Sequence, residues 1–360
     1  MTTSAYIHIP FCDNICTYCD FCKRYSYPNI INNYLDSLEK DIKDNYKGEL
    51  LKTIYIGGGT PSSLNLKELT KLMRIVKLLK LDSNYEFSFE CNPENVTEEK
   101  LILLKENGVN RISLGVESTN SKYLTYLGRK HDFNLVKEKI KLIKKYFDNI
   151  NVDLIYALPN ESIDDLKEDL QNIVNLSVNH VSTYSLEIHD NTILGIKKTK
   201  NISDDMDSDM YNMICKYLTK NGYTHYEVSN FCKDNTYSHH NMVYWKNEEY
   251  YGFGLGASGY INNIRYDNTR SMYKYVNGNR LLNKEKLNKQ DKISYELILG
   301  FRLINGINKE EFKKKYHVSL INQYNIKELL EKGYLIDDGT NIKVSYDKIY
   351  IENSILENFI

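Results

Sequence analysis

The feature that most constrains the fold is a repeated alternation between short apolar segments and longer amphipathic ones. Six segments of strand length are each followed by a segment with apolar residues at helical spacing, all before residue 225. The predicted strands are 5–9, 52–56, 86–90, 111–115, 151–157 and 180–186, and the predicted helices are 31–46, 64–79, 97–107, 135–146, 163–176 and 206–221. This alternation predicts a parallel sheet with helices outside it. We therefore expect an α/β protein with a partial (β/α)6 barrel at 1–225 and with functional residues directly after the strands.

The chain beyond residue 225 follows a different pattern. Residues 226–290 read as a connecting region. Helices are then predicted at 292–302, 309–315 and 321–332, and short strands at 334–336 and 342–345. Three helices and a hairpin predict a small winged-helix-like domain at 291–360, although no basic recognition helix stands out in it.

Charge and hydrophobicity argue against two classes of partner. The formal net charge is −1, so the chain offers no basic face for nucleic acid. No apolar run approaches the ~20 residues of a membrane-spanning helix. We expect a cytoplasmic protein that binds no nucleic acid.

Four of the seven cysteines lie just after the first predicted strand: Cys12, Cys16, Cys19 and Cys22. The first three, spaced Cys-x3-Cys-x2-Cys, suit thiolates that bind three irons of a [4Fe–4S] cluster and leave the fourth iron open. Zinc is the alternative, with Cys19 and Cys22 as one knuckle and Cys12 and Cys16 as a looser second one. Disulfides are disfavoured, because the cysteine count is odd and no signal peptide precedes these residues. The role of Cys22 stays open.

Glycines and polar side chains follow the other predicted strands. Gly57, Gly58 and Gly59 let the backbone approach a ligand closely, although a tight strand-to-helix turn would explain them as well. Polar groups that could accept from hydroxyls or pair with a carboxylate lie at or near strand ends. They are Glu90, Glu117, Arg129 and Asp153. Each alone is more often a surface or capping residue, so only their joint placement indicates a site.

Six segments together resemble the oxygen-independent coproporphyrinogen III oxidase family of radical S-adenosylmethionine (SAM) proteins. They are 6–12, 57–61, 90–94, 115–118, 127–131 and 153–159. The resemblance implies a [4Fe–4S] cluster on Cys12, Cys16 and Cys19. It also implies SAM-binding residues, namely Tyr6, Gly58, Gly59, Thr60, Glu90, Glu117, Arg129 and Asp153. Glu117 stands where the family commonly has glutamine, and when ionised it only accepts hydrogen bonds.

A later motif resembles the haem-binding signature of the HemW-type haem-chaperone branch of that family. It consists of His240, Asn241, Tyr244 and Trp245, the only tryptophan. His240 could supply an axial imidazole and the two aromatic rings could stack on a porphyrin, with His239 as a substitute ligand. Alternatively, His240 and Asn241 cap a turn, and Tyr244 and Trp245 pack against the edge of the barrel. The true oxidases carry an N-terminal extension, whereas this sequence starts one strand's length before the cysteines.

The resemblance therefore implies a haem chaperone that carries a [4Fe–4S] cluster and SAM. Its expected partners are haem and an acceptor haemoprotein such as a respiratory enzyme, with peripheral membrane association only through that acceptor. We expect no coproporphyrinogen oxidase activity. The alternatives are that oxidase, which decarboxylates propionates by radical chemistry, an anaerobic haem-cleaving radical enzyme, and a zinc-stabilised interaction module.

Overall fold

The computed structural model describes residues 2–360. The strands are β1 (Ser4–Ile9), β2 (Phe11–Cys12), β3 (Arg24–Tyr25), β4 (Leu50–Gly58), β5 (Lys80–Cys91), β6 (Arg111–Glu117), β7 (Asn149–Tyr156), β8 (His180–Ser185), β9 (Thr224–Glu227), β10 (Asn230–Cys232), β11 (Tyr251–Phe253), β12 (Ser258–Ile261), β13 (Ile264–Asn268), β14 (Leu281–Lys286), β15 (Ile307–Asn308), β16 (Leu335–Asp337) and β17 (Asn341–Val344). The helices are α1 (Pro28–Asn45), α2 (Leu66–Val76), α3 (Glu98–Glu106), α4 (Ser121–Leu127), α5 (Phe133–Ile143), α6 (Ile163–Asn175), α7 (Ile193–Ile196), α8 (Asp204–Lys220), α9 (His239–Trp245), α10 (Met272–Val276), α11 (Lys289–Gly300), α12 (Lys309–Tyr316), α13 (Ile326–Glu331) and α14 (Glu352–Leu356).

Nine strands form one sheet in the order β11-β1-β4-β5-β6-β7-β8-β10-β9. Its strands from β11 to β8 pair in parallel, and β10 runs antiparallel to both β8 and β9. Since β11 and β9 are the two edges, the barrel is open. The predicted partial (β/α)6 barrel is confirmed, and its six predicted strands are β1 and β4 to β8. The sheet continues past residue 225, because β9, β10 and β11 also belong to it.

Burial explains why these segments are so apolar. Every residue of β6 is buried, as expected for a parallel strand with helices on one face and a filled interior on the other. Helix α2 buries one face through Leu69, Leu72 and Met73. Its first turn is closed by a capping box, in which Asn65 accepts from the Glu68 N–H and Glu68 accepts from the Asn65 N–H. In the barrel, the apolar residues that the sequence pattern assigns to the core are therefore the ones that the fold buries.

Two smaller units follow the barrel. Strands β12, β13 and β14 form an antiparallel sheet across residues 258–286 that the sequence pattern did not predict. Helices α11 to α13 and the sheet β15-β17-β16 form the C-terminal domain, which confirms the predicted winged-helix-like unit. Phe301 and Phe312 of that domain share one continuous apolar core with the barrel. Within residues 2–360, no helix combines the length and hydrophobicity that crossing a bilayer requires.

Candidate functional site

The cysteine-bearing loop is fixed at both ends. It leaves the barrel through β2 and returns through β3, where Phe11 pairs with Arg24 and Cys12 with Tyr25. Thr17, in the middle of the loop, donates from its N–H to the Leu127 carbonyl (3.0 Å) and from its hydroxyl to the Tyr126 carbonyl (2.9 Å). The loop is thereby tied to the end of α4, above the carboxyl ends of the barrel strands.

The thiols of this loop have donors directed at them. The Thr60 hydroxyl lies 3.6 Å from Cys12 Sγ, and Arg129 Nη1 lies 3.5 Å from Cys16 Sγ. A Cβ on Gly59 would lie 2.9 Å from Cys12 Sγ, so only glycine leaves room for the sulfur. Burial raises the pKa of the Cys12 thiol to about 11, and the Thr60 hydrogen bond opposes this rise. Donors of this kind fit sulfurs that become thiolates when iron replaces their protons.

All seven cysteines of the described chain are free thiols. Within residues 2–360, no three His, Cys, Asp or Glu side chains converge closely enough to hold one metal ion. That requirement belongs to a single-ion site, whereas each thiolate of a [4Fe–4S] cluster binds a separate iron. Cys12, Cys16 and Cys19 thus remain the candidate cluster ligands.

Glu90 connects the second and third strand ends. Its carboxylate accepts from the Gly58 N–H (2.9 Å) and from the Tyr55 hydroxyl (2.7 Å). Tyr6 stacks on the Tyr55 ring, with centroids 6.1 Å apart. Burial raises the pKa of Glu90 to about 7, while its hydrogen bonds with Tyr55 and Gly58 oppose that rise. Three of the predicted SAM residues, Tyr6, Gly58 and Glu90, therefore meet at one place.

Arg129 connects a second group of predicted residues. Its guanidinium, 4% exposed, donates from Nη2 to the Gly115 carbonyl (2.7 Å) and to Asn92 Oδ1 (3.0 Å). Its Nη1 lies 3.7 Å from Glu117 Oε1 as well as beside Cys16. Burial raises the pKa of Glu117 to about 7, and the charge of Arg129 opposes that rise. The ion pair thus lies directly against the cysteine loop.

Asp153 lies on β7, opposite Gly115 of β6. It accepts from Asn151 Nδ2 (2.8 Å) and from the Ser113 hydroxyl (3.3 Å), and burial raises its pKa. Thr60 joins the Arg129 group indirectly, because Asn92 Nδ2 donates to the Thr60 hydroxyl (3.2 Å). Neither Tyr55 nor Asn92 was assigned a role from the sequence. Asn92 lies inside the motif at 90–94 and could have been found there, whereas Tyr55 had no distinguishing signal.

Helix α9 contains the predicted haem motif and begins against β5. The N–H groups of His239 and His240 each donate to the Glu86 carboxylate at 3.0 Å. His240 is 1% exposed, and both ring nitrogens are engaged: Nδ1 with the Thr53 hydroxyl and Nε2 with the Tyr244 hydroxyl, each at 2.8 Å. Burial lowers the pKa of His240 to about 3, so its imidazole is neutral. His239, by contrast, is exposed.

The two aromatic residues of the motif point to different parts of the molecule. Tyr244 lines a cavity of about 520 Å³, whereas the Trp245 ring lies 6.0 Å from the Arg302 guanidinium of the C-terminal domain. Arg302 in turn pairs with Glu352 at 2.9 Å. Tyr244 and Trp245 therefore do not form a single stacking surface in this conformation.

The cavity brings together parts of the two predicted sites. Its wall includes Tyr6, Gly58 and Glu90 from the SAM prediction, and Tyr244 from the haem motif. Other lining residues come from β1, the cysteine loop, the glycine-rich segment 252–259 with Tyr250 before it, and the second sheet (β12-β13-β14) with the residues beside it. They include His8, Asp20, Phe21, Cys22, Tyr250, Gly256, Asp267, Arg270 and Leu282. Two apolar rim residues are largely exposed, Phe21 by 64% and Leu282 by 61%. No local motif marks the residues from the second sheet.

Comparison with known proteins shows the family of the chain. The Radical SAM superfamily profile matches residues 6–173, and the HemN C-terminal domain profile matches residues 287–346. The chain is 39% identical to "Heme chaperone HemW" of Lactococcus lactis subsp. lactis, covering 99% of this chain and 97% of that protein. It is 34% identical to the Bacillus subtilis protein of the same name, covering 99% of each.

A solved structure has the same fold. The coproporphyrinogen III oxidase HemN of Escherichia coli superposes with a TM-score of 0.87 over 99% of this chain and 90% of that one. At 20% identity this likeness concerns the fold alone. The sequence relatives are closer and extend along nearly the whole chain, so the protein belongs to the HemW family within the radical SAM superfamily.

Proposed function

We propose that this protein is a cytoplasmic haem chaperone that binds haem and transfers it to an acceptor haemoprotein such as a respiratory enzyme. The observation that supports this most directly is the cavity of about 520 Å³, whose wall contains residues of both the SAM motifs and the haem motif. A cavity of this size is within the range of ligand-binding pockets. The names of the relatives from L. lactis and B. subtilis support the same assignment.

The cysteine loop is proposed to hold a [4Fe–4S] cluster through Cys12, Cys16 and Cys19. When bound, the cluster would offer an open iron to the amino and carboxylate groups of SAM. The Arg129 guanidinium beside Cys16 supplies positive charge for the SAM carboxylate, and Gly58 and Glu90 offer backbone and carboxylate contacts. Asp153 and Glu117 do not line the cavity, but their carboxylates lie close enough to Glu90 to interact electrostatically, and we assign them to the sulfonium cation and the ribose hydroxyls of SAM.

Removal of one of these contacts should weaken SAM binding without loss of iron. Asp153→Ala is expected to cost about 1–3 kcal/mol of SAM affinity if a ribose hydrogen bond is lost. Asp153→Asn, which keeps the shape and one acceptor oxygen, should cost less. Equilibrium dialysis of SAM and iron analysis on the same samples measure both effects. The exposed Asp148, just before the same strand, provides the control Asp148→Ala. Unchanged SAM affinity in both Asp153→Ala and Glu90→Ala would contradict the proposed SAM site.

Haem is proposed to bind at α9, on the side that Tyr244 presents to the cavity. An axial bond from His240 requires one ring nitrogen to give up its hydrogen-bond partner, because both nitrogens are engaged; on the Tyr244 side this is Nε2. The exposed His239 has no such ring hydrogen bond to break, but it does not line the cavity. Asn241 follows in the first turn of the helix, where its N–H donates to the Ser238 hydroxyl (3.4 Å).

A transfer assay tests the proposed function as a whole. Anaerobically reconstituted protein loaded with haem is mixed with a haem-depleted respiratory enzyme, and the acceptor's spectrum is followed. We expect the acceptor to gain haem faster than it does from free haem at the same concentration. No acceleration would contradict the chaperone role. In a parallel reaction with coproporphyrinogen III, reductant and SAM, protoporphyrinogen IX formed above ~1 per minute would favour the oxidase alternative.

A further inference from the structure

His240 lies at the centre of a buried chain of hydrogen bonds between β4 and α9. Thr53 is on β4, and Tyr244 is one turn further along the same helix as His240. A neutral imidazole has one donor and one acceptor nitrogen, so it can satisfy both hydroxyls at once. Neither hydroxyl has an alternative partner among the hydrogen bonds of the described residues.

The same imidazole supports the wall of the cavity. Its ring packs against Tyr55 with centroids 5.3 Å apart and against Tyr244 at 5.0 Å in an edge-to-face arrangement. Tyr55 donates to Glu90, which accepts from the Gly58 N–H as well. One side of His240 therefore orients Tyr244, and the other side orients Tyr55 and, through it, Glu90.

We propose that His240 is a positioning residue of the SAM-binding wall, so that SAM affinity of the haem-free protein depends on it. This inference rests on the proposed SAM site and extends it, because it joins the haem motif to that site. Loss of the imidazole leaves the Thr53 and Tyr244 hydroxyls unpaired and opens a void beside Tyr55. The tyrosines are then free to move, and Glu90 loses its fixed orientation toward Gly58.

Amide variants separate the two hydrogen bonds. His240→Gln reaches about as far as Nε2 and can keep the bond to Tyr244, whereas His240→Asn mimics Nδ1 and can keep only the bond to Thr53. Since Tyr244 is the residue that lines the cavity, glutamine should restore SAM affinity better than asparagine. Glutamine also fills one methylene more of the imidazole's space, so this order supports positioning only if it appears in SAM affinity and not in the thermal midpoint or the iron content.

The test is the dissociation constant of SAM, measured by equilibrium dialysis on iron-loaded, haem-free protein, with iron content and thermal midpoint recorded alongside. We expect SAM to bind about tenfold more weakly to His240→Ala and to a similar extent more weakly to Tyr244→Phe. In the double variant the loss of binding free energy should be smaller than the sum of the two single losses, because the two residues act through one hydrogen bond. Lys246→Ala, which changes an exposed residue at the end of the same helix, should bind SAM like the wild type.

The outcomes separate a failure of the positioning role of His240 from a failure of the proposed SAM site. If wild-type protein with intact iron binds no SAM, the proposed SAM site fails and this inference fails with it. If the wild type binds SAM and folded His240→Gln, His240→Asn and Tyr244→Phe all bind within twofold of it, the SAM site stands and the positioning role is wrong. The amide variants keep the test valid should His240→Ala fail to fold.

Discussion

Replacing Cys12, Cys16 or Cys19 singly by alanine is expected to abolish both the absorbance of a [4Fe–4S] cluster and the binding of SAM. In the proposed site each thiolate would hold a different iron. The loop is fixed by β2, β3 and the contacts of Thr17, so we expect no other cysteine to move into the vacant position. Iron and sulfide analysis with absorption spectra of anaerobically reconstituted protein measures the loss. Cys215→Ala, in α8 and remote from this loop, controls for the loss of a buried thiol.

Cys22 is expected to behave differently from the other three. It lines the cavity and faces the glycine-rich segment, where a Cβ on Gly256 would lie 3.0 Å from Cys22 Sγ. If Cys12, Cys16 and Cys19 are the only cluster ligands, Cys22→Ala should keep about four irons per chain. Loss of the cluster in this variant, or stoichiometric zinc in anaerobically purified wild-type protein, would contradict an open-iron cluster.

Replacing His239 and His240 together by alanine is expected to remove the axial ligand for haem. The haem absorbance band should shift and the affinity should fall by more than about 100-fold, because losing a ligand costs more than the 10–100-fold lost with a ligand's hydrogen-bond partner. Haem titration followed by absorbance measures both effects. Normal iron content of the double variant shows that the barrel is intact. Unaltered haem affinity and spectrum would mean that haem, if bound, lies elsewhere.

Thr53→Val then shows which histidine is the ligand. If His240 binds iron through Nε2, on the Tyr244 side, its Nδ1 keeps the Thr53 hydroxyl as partner, so removing that hydroxyl should weaken haem binding severalfold. If His239 is the ligand, its exposed ring does not involve Thr53, and haem affinity should stay at the wild-type value. The single variants His239→Ala and His240→Ala should agree with the result.

The barrel could be predicted from the sequence because its determinants are local. Alternation of apolar strands and amphipathic helices sets the parallel sheet, and each predicted barrel strand and helix has its counterpart in the structure. Candidate site residues could be named for a related reason. Since parallel strands end at one edge, residues at the carboxyl ends of different strands converge, as Gly58 and Glu90 do. The cysteine spacing is likewise a local property.

Only the tertiary structure decided which way the residues of the haem motif face. Spacing on α9 could not show that His240 is hydrogen-bonded to Thr53, 187 positions away in the sequence. Nor could it show that Tyr244 lines the cavity or that Trp245 lies beside Arg302. The second sheet that completes the cavity was also missed. Burial and hydrogen bonding of this kind depend on partners far apart in sequence, and local periodicity reaches only about one helical turn. The sequence by itself thus determined the barrel and the types of residue at its mouth, while long-range packing decided which of their polar atoms are free to bind a ligand.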